Sequence, residues 1–222
     1  ITVKNLEKYL NKDFINIKKK YLIILEEKNK IINLDKKKNK NLSLSKFFLE
    51  YNTDKAKYYK QLIFRDKSHN YGPFYSRELK HLRNQNLKIL EIGVYKGEST
   101  AAFHNYFKNS SIYAVDLEKK IFKYKSNRIK FFKLDYMNEK QVEKFTNKFV
   151  NYFDIIIDDG GHFKSHILHN IKNFFKCLKS NSFYIIEDYG LKFDYLNDDL
   201  RETNIFNLIK KLGQKKYFKS KI

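Results

Sequence analysis

The chain has 222 residues, 42% of them hydrophobic and 17% aromatic, enough for one α/β domain with an extension and a sizeable core. Its formal charge is +21, from 46 Lys and Arg against 25 Asp and Glu. That excess is overwhelmingly Lys, in company with abundant Asn, Ile, Tyr and Phe, and reads as the bias of an AT-rich genome; Arg, the better reader of bases and phosphates, is scarce. No apolar run approaches the ~18 residues of a membrane span, and no signal-peptide pattern opens the chain. The single cysteine, Cys177, excludes an intrachain disulfide and fits a reducing, cytoplasmic setting. The first residue is Ile1 in place of Met, which raises the expectation of a fragment or an excised domain.

Residues 6–32 place Leu6, Leu10, Phe14, Ile17, Tyr21, Ile24 and Ile31 on one helical stripe. The expectation is an amphipathic helix that caps its own domain, with a homo-oligomer seam as the alternative. Asp35–Asn41 is polar and charged and reads as a linker, which divides the chain into an extension over 1–41 and a main domain over 42–222. A short helix follows at Ser45–Tyr51. Apolar strands are expected at Leu87–Ile92, Ser111–Val115, Ile129–Leu134, Phe153–Ile157 and Ser182–Ile186. Helices are expected between them, near Glu98–Phe107, Glu118–Lys125, Glu139–Val150 and Lys164–Lys179. Alternating strands and helices with buried apolar strands predict an α/β fold, a Rossmann-like, doubly wound parallel sheet. Beyond Asp188 the pattern offers one helix near Asp199–Leu212 and the start of a strand at Tyr217–Ile222, so a final hairpin looks truncated.

The stretch from Lys88 to Glu118 carries the first functional signal. A strand runs into Gly93-Val94-Tyr95-Lys96-Gly97, a helix follows, and the next strand ends in Asp116. Glycines let a ligand approach the backbone. An acid about 20 residues on can reach a ribose hydroxyl at the sheet's switch point. Glu91 stands two residues before the first glycine, where its charge would repel a pyrophosphate but suit the cationic amino acid part of S-adenosylmethionine. The spacing is not G-x-G-x-x-G, and no G-K-[ST] follows, so a dinucleotide fingerprint and a P-loop are both excluded. E-x-G-x-x-x-G with a following strand ending in Asp resembles the first two motifs of class I methyltransferases.

A second signal is acidic. The fourth strand runs into Asp158-Asp159-Gly160-Gly161-His162 and the fifth into Glu187-Asp188. Carboxylates converging at one sheet edge repel one another, and a hard divalent cation such as Mg²⁺ relieves that repulsion. His162 is the residue type for a general base near neutral pH. His166 and His169 follow at helical spacing and read as surface or substrate-side residues.

The segments NTDK (Asn52–Lys55), HNYGPFY (His69–Tyr75), LEIGVYKGES (Leu90–Ser99), IYAVDL (Ile112–Leu117), IIIDDGGH (Ile155–His162) and YIIED (Tyr184–Asp188) occur in that order. Together they resemble the metal-dependent sugar O-methyltransferases of macrolide biosynthesis. Over 45–190 the resemblance implies metal ligands at Asp159, Glu187 and Asp188 and a catalytic base at His162. It implies cofactor contacts at Glu91, Gly93, Gly97, Asp116 and Asp135, with Asp158 beside them. Two positions depart from the family pattern: Gly161 stands where Ser is usual, and Asn52 where Gly is usual.

The expected chemistry is methyl transfer from S-adenosylmethionine to a hydroxyl of a sugar or glycosylated small molecule. Tyr71 and Tyr75 either line the sugar pocket or pack the preceding helix. A phenolic acceptor stays open. Amino methylation through D/N-P-P-Y/F is excluded, because Pro73 is the only proline. The rival is a nucleic-acid-binding protein or RNA methyltransferase that uses its Lys and aromatic residues on backbone and bases. Convergent carboxylates at the strand ends favour the enzyme, and a continuous Lys face favours the binder.

Overall fold

The computed structural model describes residues 31–36, 40–57 and 68–188. The helical stripe expected over 6–32, apart from its last two residues, lies outside the described residues, as do the helix at Asp199–Leu212 and the strand at Tyr217–Ile222. In chain order the regular elements are β1 (Ile32–Asn33), α1 (Leu44–Glu50), α2 (Gly72–Leu79), β2 (Lys88–Ile92), α3 (Glu98–Tyr106), β3 (Ser111–Asp116), β4 (Tyr124–Lys125), β5 (Ile129–Lys133), α4 (Glu139–Lys148), β6 (Phe153–Asp158), α5 (Lys164–Phe174) and β7 (Leu178–Ile186). Among the described residues no helix is long and apolar enough to cross a membrane.

These residues gather into two compact units. One holds the described residues up to Arg83 together with Tyr95–Lys108 and Glu118–Ile129. Ser43 caps α1 by accepting the Lys46 amide at 3.3 Å. The helix then buries Leu44, Phe47 and Phe48, three residues on one helical face. Phe48 meets Tyr75 and Phe103 edge-on, at ring-centroid distances of 5.8 and 5.4 Å. Pro73 sits in the first turn of α2, where its missing N–H costs nothing. Arg128 closes α3 by donating to the carbonyls of Phe107 and His104 at 2.9 and 3.0 Å, a cation at a helix C-terminus.

The second unit holds Asn84–Val94, Asn109–Leu117 and the described residues from Lys130 onward. Its sheet has the order β5-β3-β2-β6-β7, and β2–β3, β2–β6 and β6–β7 are parallel. Ile89, Leu90 and Ile92, Ile112 to Val115, and Ile155 to Ile157 are all buried. Strands covered on both faces need such continuous apolar runs, which is why these strands stand out in the sequence. Around them pack Leu134, Val142, Phe145, Phe149, Phe174 and Cys177. Each such side chain adds about 1.5–3 kcal/mol on burial. The expected Rossmann-like class of fold is the observed one.

Two expected elements differ. The helix expected at Glu118–Lys125 is a 3-10 turn, Lys119–Ile121, followed by β4, which pairs with β1. Phe122 and Tyr124 are both buried, a period of two that suits a strand, while the Lys-rich composition suggests a helix. The helix expected over Lys164–Lys179 ends at Phe174, and β7 already starts at Leu178. Its first half, Lys179 to Asn181, is polar and carries a register shift against β6, with Asn181 at φ +57°. A polar, irregular half-strand gives no periodic signal. Cys177 therefore ends a 3-10 turn and does not sit mid-helix. It is fully buried, and burial pushes its thiol up to about 12.

A buried histidine ties the first unit together. The ring nitrogens of His104 lie 2.9 Å from Asn105 Oδ1 and 2.8 Å from Ser126 Oγ, and Ser126 donates to Asp35 at 2.6 Å. Burial, with Arg128 nearby, lowers the His104 pKa to about 4. An unfolded histidine titrates near 6.5, so on acidification the unfolded chain takes up this proton first. Stability should therefore fall as pH drops from about 6.5 to 4, by up to ~3 kcal/mol for this group. Denaturant unfolding across that range should show the slope in the wild type, and His104→Gln should flatten it.

Candidate active site

In an open parallel sheet, ligands bind beyond the carboxyl ends of the strands, where the strand order reverses. Here the reversal falls between β2 and β6, with β3 and β5 on one side and β7 on the other. Every acid singled out from the sequence in the second unit lies on a strand or just past its carboxyl end. Glu91 is on β2 itself and is fully buried, in register with Ala114 and Ile157. Asp116 closes β3 and is half-buried. Asp135 follows β5, and its Oδ1 accepts the Met137 amide at 2.9 Å, a local turn.

The β2 and β6 ends are pinned together. Gly93 N donates to Val115 O at 2.9 Å, and Asp159 N donates to Ile92 O at 3.0 Å. Gly93 has φ +80°, and a Cβ there would lie 2.2 Å from Asp159 O. Gly97, in the other unit, has φ +86° and heads α3 against the Phe122 ring.

Asp158 is 3% exposed. Its Oδ1 accepts from Asn170 Nδ2 at 2.9 Å and from Gly160 N at 3.4 Å, and its Oδ2 accepts from Tyr184 at 3.3 Å. Burial raises its pKa to about 6, with the charge of Glu187 adding to it; the three hydrogen bonds pull it back. This carboxylate is engaged with the protein and holds the loop after β6.

Asp159, His162 and Asp188 converge. One ligand atom from each lies within 4.8 Å of the others; the His162 side chain is 30% exposed and that of Asp188 only 6%. His162 Nε2 is 3.8 Å from Asp188 Oδ2. Asp188 adopts φ +55°, an uncommon conformation for a non-glycine residue, and this bend carries the chain out of β7. Glu187 is not in that group; it is 5% exposed, and its amide donates to Asp158 O at 2.9 Å. Two carboxylates and an imidazole form a donor set suited to a hard or borderline divalent cation.

His162 lies on the loop before α5, whose N-cap is Phe163, so it does not share a helix face with His166 and His169. Gly161 has a packing reason. A Cβ there would lie 2.0 Å from His166 Nδ1 and 2.9 Å from the Tyr136 hydroxyl. Tyr136, which the sequence pattern does not single out, accepts the Gly161 amide at 2.7 Å. Of the two tyrosines singled out from the sequence, Tyr75 is 1% exposed and packs against Phe48 and Phe103, while Tyr71 stacks on His69 at 5.3 Å.

A protein-family profile described as a methyltransferase domain matches residues 90–189. Residues 90–189 are thus similar to a methyltransferase domain. The four strand-end acids at β6 and β7, Asp158, Asp159, Glu187 and Asp188, fall inside it, as do Glu91, Gly93, Gly97, Asp116 and Asp135. Among curated proteins, the mycinamicin VI 2''-O-methyltransferase of Micromonospora griseorubida is 30% identical over 127 residues, 54% of this chain and 31% of that one. The demethylmacrocin O-methyltransferase of Streptomyces fradiae is 28% identical over 54% of this chain and 32% of its own. Among solved structures, the MycE methyltransferase of the mycinamicin pathway, in complex with Mg, SAH and mycinamicin VI, aligns with a TM-score of 0.60 at 25% identity, over 79% of this chain and 48% of that one. The chain thus spans about a third of the length of these curated relatives. The fold of this chain is similar to that of this methyltransferase structure.

Proposed function

We propose that this chain is an S-adenosylmethionine-dependent O-methyltransferase that acts on a hydroxyl of a sugar or a glycosylated small molecule with the help of a divalent cation. The observation that carries this reading is the convergence of Asp159, His162 and Asp188 at the carboxyl ends of β6 and β7. Paired acids in that position would repel a phosphate backbone, so an enzyme is favoured over a nucleic-acid binder. The similarity to O-methyltransferases named for mycinamicin VI, demethylmacrocin and a rhamnosyl tetracenomycin supports the acceptor class.

In this reading Glu91 and Asp116 recognise the cofactor's cationic and hydroxyl groups, Asp135 stands at its base, and Gly93 and Gly97 shape the loop around it. The sulfonium of that cofactor supplies an electrophilic methyl group. Asp159 and Asp188 would hold the cation, with Glu187 contributing charge next to them, and Asp158 keeps their loop in place. A cation bound there makes a neighbouring hydroxyl more acidic. His162, 3.8 Å from Asp188, takes the proton from the acceptor oxygen at Nε2. Asp188 in turn stabilises the imidazolium that forms.

Asp159→Asn removes one charge and nearly keeps the shape. It should weaken Mg²⁺ binding by at least about tenfold, the scale of one lost charged ligand contact, and leave S-adenosylhomocysteine affinity within about twofold. Titration calorimetry reads both. Mass-spectrometric screening of nucleotide sugars and glycosides, with and without a chelator, tests the acceptor class. Wild-type methyl transfer that ignores the chelator would remove the cation from the mechanism.

A further inference from the structure

We infer that Tyr136 is a positioning residue that fixes the loop bearing Asp159 and His162. The functional consequence rests on the proposed methyl transfer; the contact does not. Asp159 N is held by Ile92 O at 3.0 Å, and Gly160 N reaches Asp158 Oδ1 only at 3.4 Å. The next amide, Gly161 N, donates to the Tyr136 hydroxyl at 2.7 Å. That bond falls two residues after Asp159 and one before His162, between the cation ligand and the base.

The grip is two-sided. A Cβ on residue 161 would meet His166 Nδ1 at 2.0 Å and the Tyr136 oxygen at 2.9 Å, so the imidazole and the phenol both close on the bare backbone. His166 lies edge-on to Tyr136 at 6.0 Å and to Phe163 at 5.1 Å, and so braces the same turn from α5. The Tyr136 ring is itself packed against the hydrophobic core of the second unit. Its hydroxyl therefore sits on a rigid support, as a positioning group must. The phenol keeps its proton: burial raises its pKa, and the charges of Asp158, Asp116 and Asp135 push the same way. Asp116 and Asp135 are the acids assigned to the cofactor. Tyr136 thus feels the charge of those acids while it holds the loop that presents the base.

The test uses the full chain with Tyr136→Phe, which keeps the ring and removes the oxygen. Backbone amide exchange by nitrogen-15 NMR should show Gly161 exchanging roughly five- to tenfold faster, the ratio that one hydrogen bond is typically worth. Mg²⁺ affinity should fall by a similar factor, while S-adenosylhomocysteine affinity stays within twofold. Where turnover is measurable, kcat should fall and KM for the acceptor should hold. Gly161→Ala, which pushes the phenol and imidazole apart, should reproduce the loss of Mg²⁺ affinity without removing the hydroxyl. Unchanged Gly161 exchange in Tyr136→Phe overturns the inference. Faster exchange with unchanged Mg²⁺ affinity and kcat overturns it too, since Tyr136 would then be merely structural. A wild type that binds neither Mg²⁺ nor S-adenosylhomocysteine sinks the functional reading alone; Gly161 exchange still decides the contact.

Discussion

His162→Ala is expected to lower turnover by about 10²–10⁴-fold, the usual worth of a positioned general base. The imidazole can act in this way because of where it lies: half-buried, ahead of α5, with Nε2 3.8 Å from Asp188 Oδ2. A base must be neutral to accept a proton, so the wild-type rate should climb with pH through the histidine titration, and the variant should lose that limb. The side chain is 30% exposed and outside the packed core, so its removal should change stability by no more than about 0.5 kcal/mol. Mg²⁺ affinity separates two roles at this position. A base can be removed with the cation still bound by Asp159 and Asp188; a third ligand cannot. His169→Ala, one residue type on the same stretch but within α5, serves as the control. Near-normal turnover in His162→Ala would falsify the base assignment.

The second large effect is at Gly93. Replacement by Ala is expected to destabilise the chain by about 2–4 kcal/mol, visible as a fall in melting temperature of roughly 4–15 °C. Two causes add. An L side chain at φ +80° is strained, and its Cβ would lie 2.2 Å from the carbonyl oxygen and 2.7 Å from the carbonyl carbon of Asp159. Neither atom belongs to a flexible side chain, so the β6 loop itself must shift. That shift would also strain the bonds from Gly93 N to Val115 O and from Asp159 N to Ile92 O. Cofactor and cation affinity should fall together, because one substitution disturbs both loops. A Gly93→Ala protein that melts like the wild type would contradict the close approach of the β2 and β6 ends. Gly93→Val should be worse than Ala on every measure.

The close approach at Gly93 also marks how far the sequence could be read. From Gly93 alone, an open backbone suggests space left for a ligand. In the structure that space belongs to Asp159 O, a contact across 66 positions of chain that no local pattern reports. The strands of the sheet were legible because burial on both faces forces unbroken apolar runs such as Ile155 to Ile157. The first half of β7 was not, since Lys179, Ser180 and Asn181 follow a bulge and face outward. At the site, the paired acids at the ends of β6 and β7 announced a cluster. They did not announce which of Glu187 and Asp188 faces it, because that depends on the backbone turning to φ +55° at Asp188. Tyr136 was invisible for the same kind of reason. It reads as an ordinary loop residue after β5, and its partner Gly161 is 25 positions away.

Cys177 offers a way to watch the fold breathe. It is the only thiol in the chain and has no exposed surface, and it packs among Val142, Phe145, Phe149 and Phe174. Its sulfur also donates to Thr146 O at 3.5 Å, and burial holds its pKa near 12, so it is neither accessible nor nucleophilic while the core is closed. A thiol reagent can modify it only in molecules whose core has opened. When reclosing outpaces modification, the labelling rate divided by that of a free thiol gives the equilibrium population of the open form. Core substitutions, bound cations and acid can then all be compared on one scale of opening free energy, read from a single atom without engineering a probe.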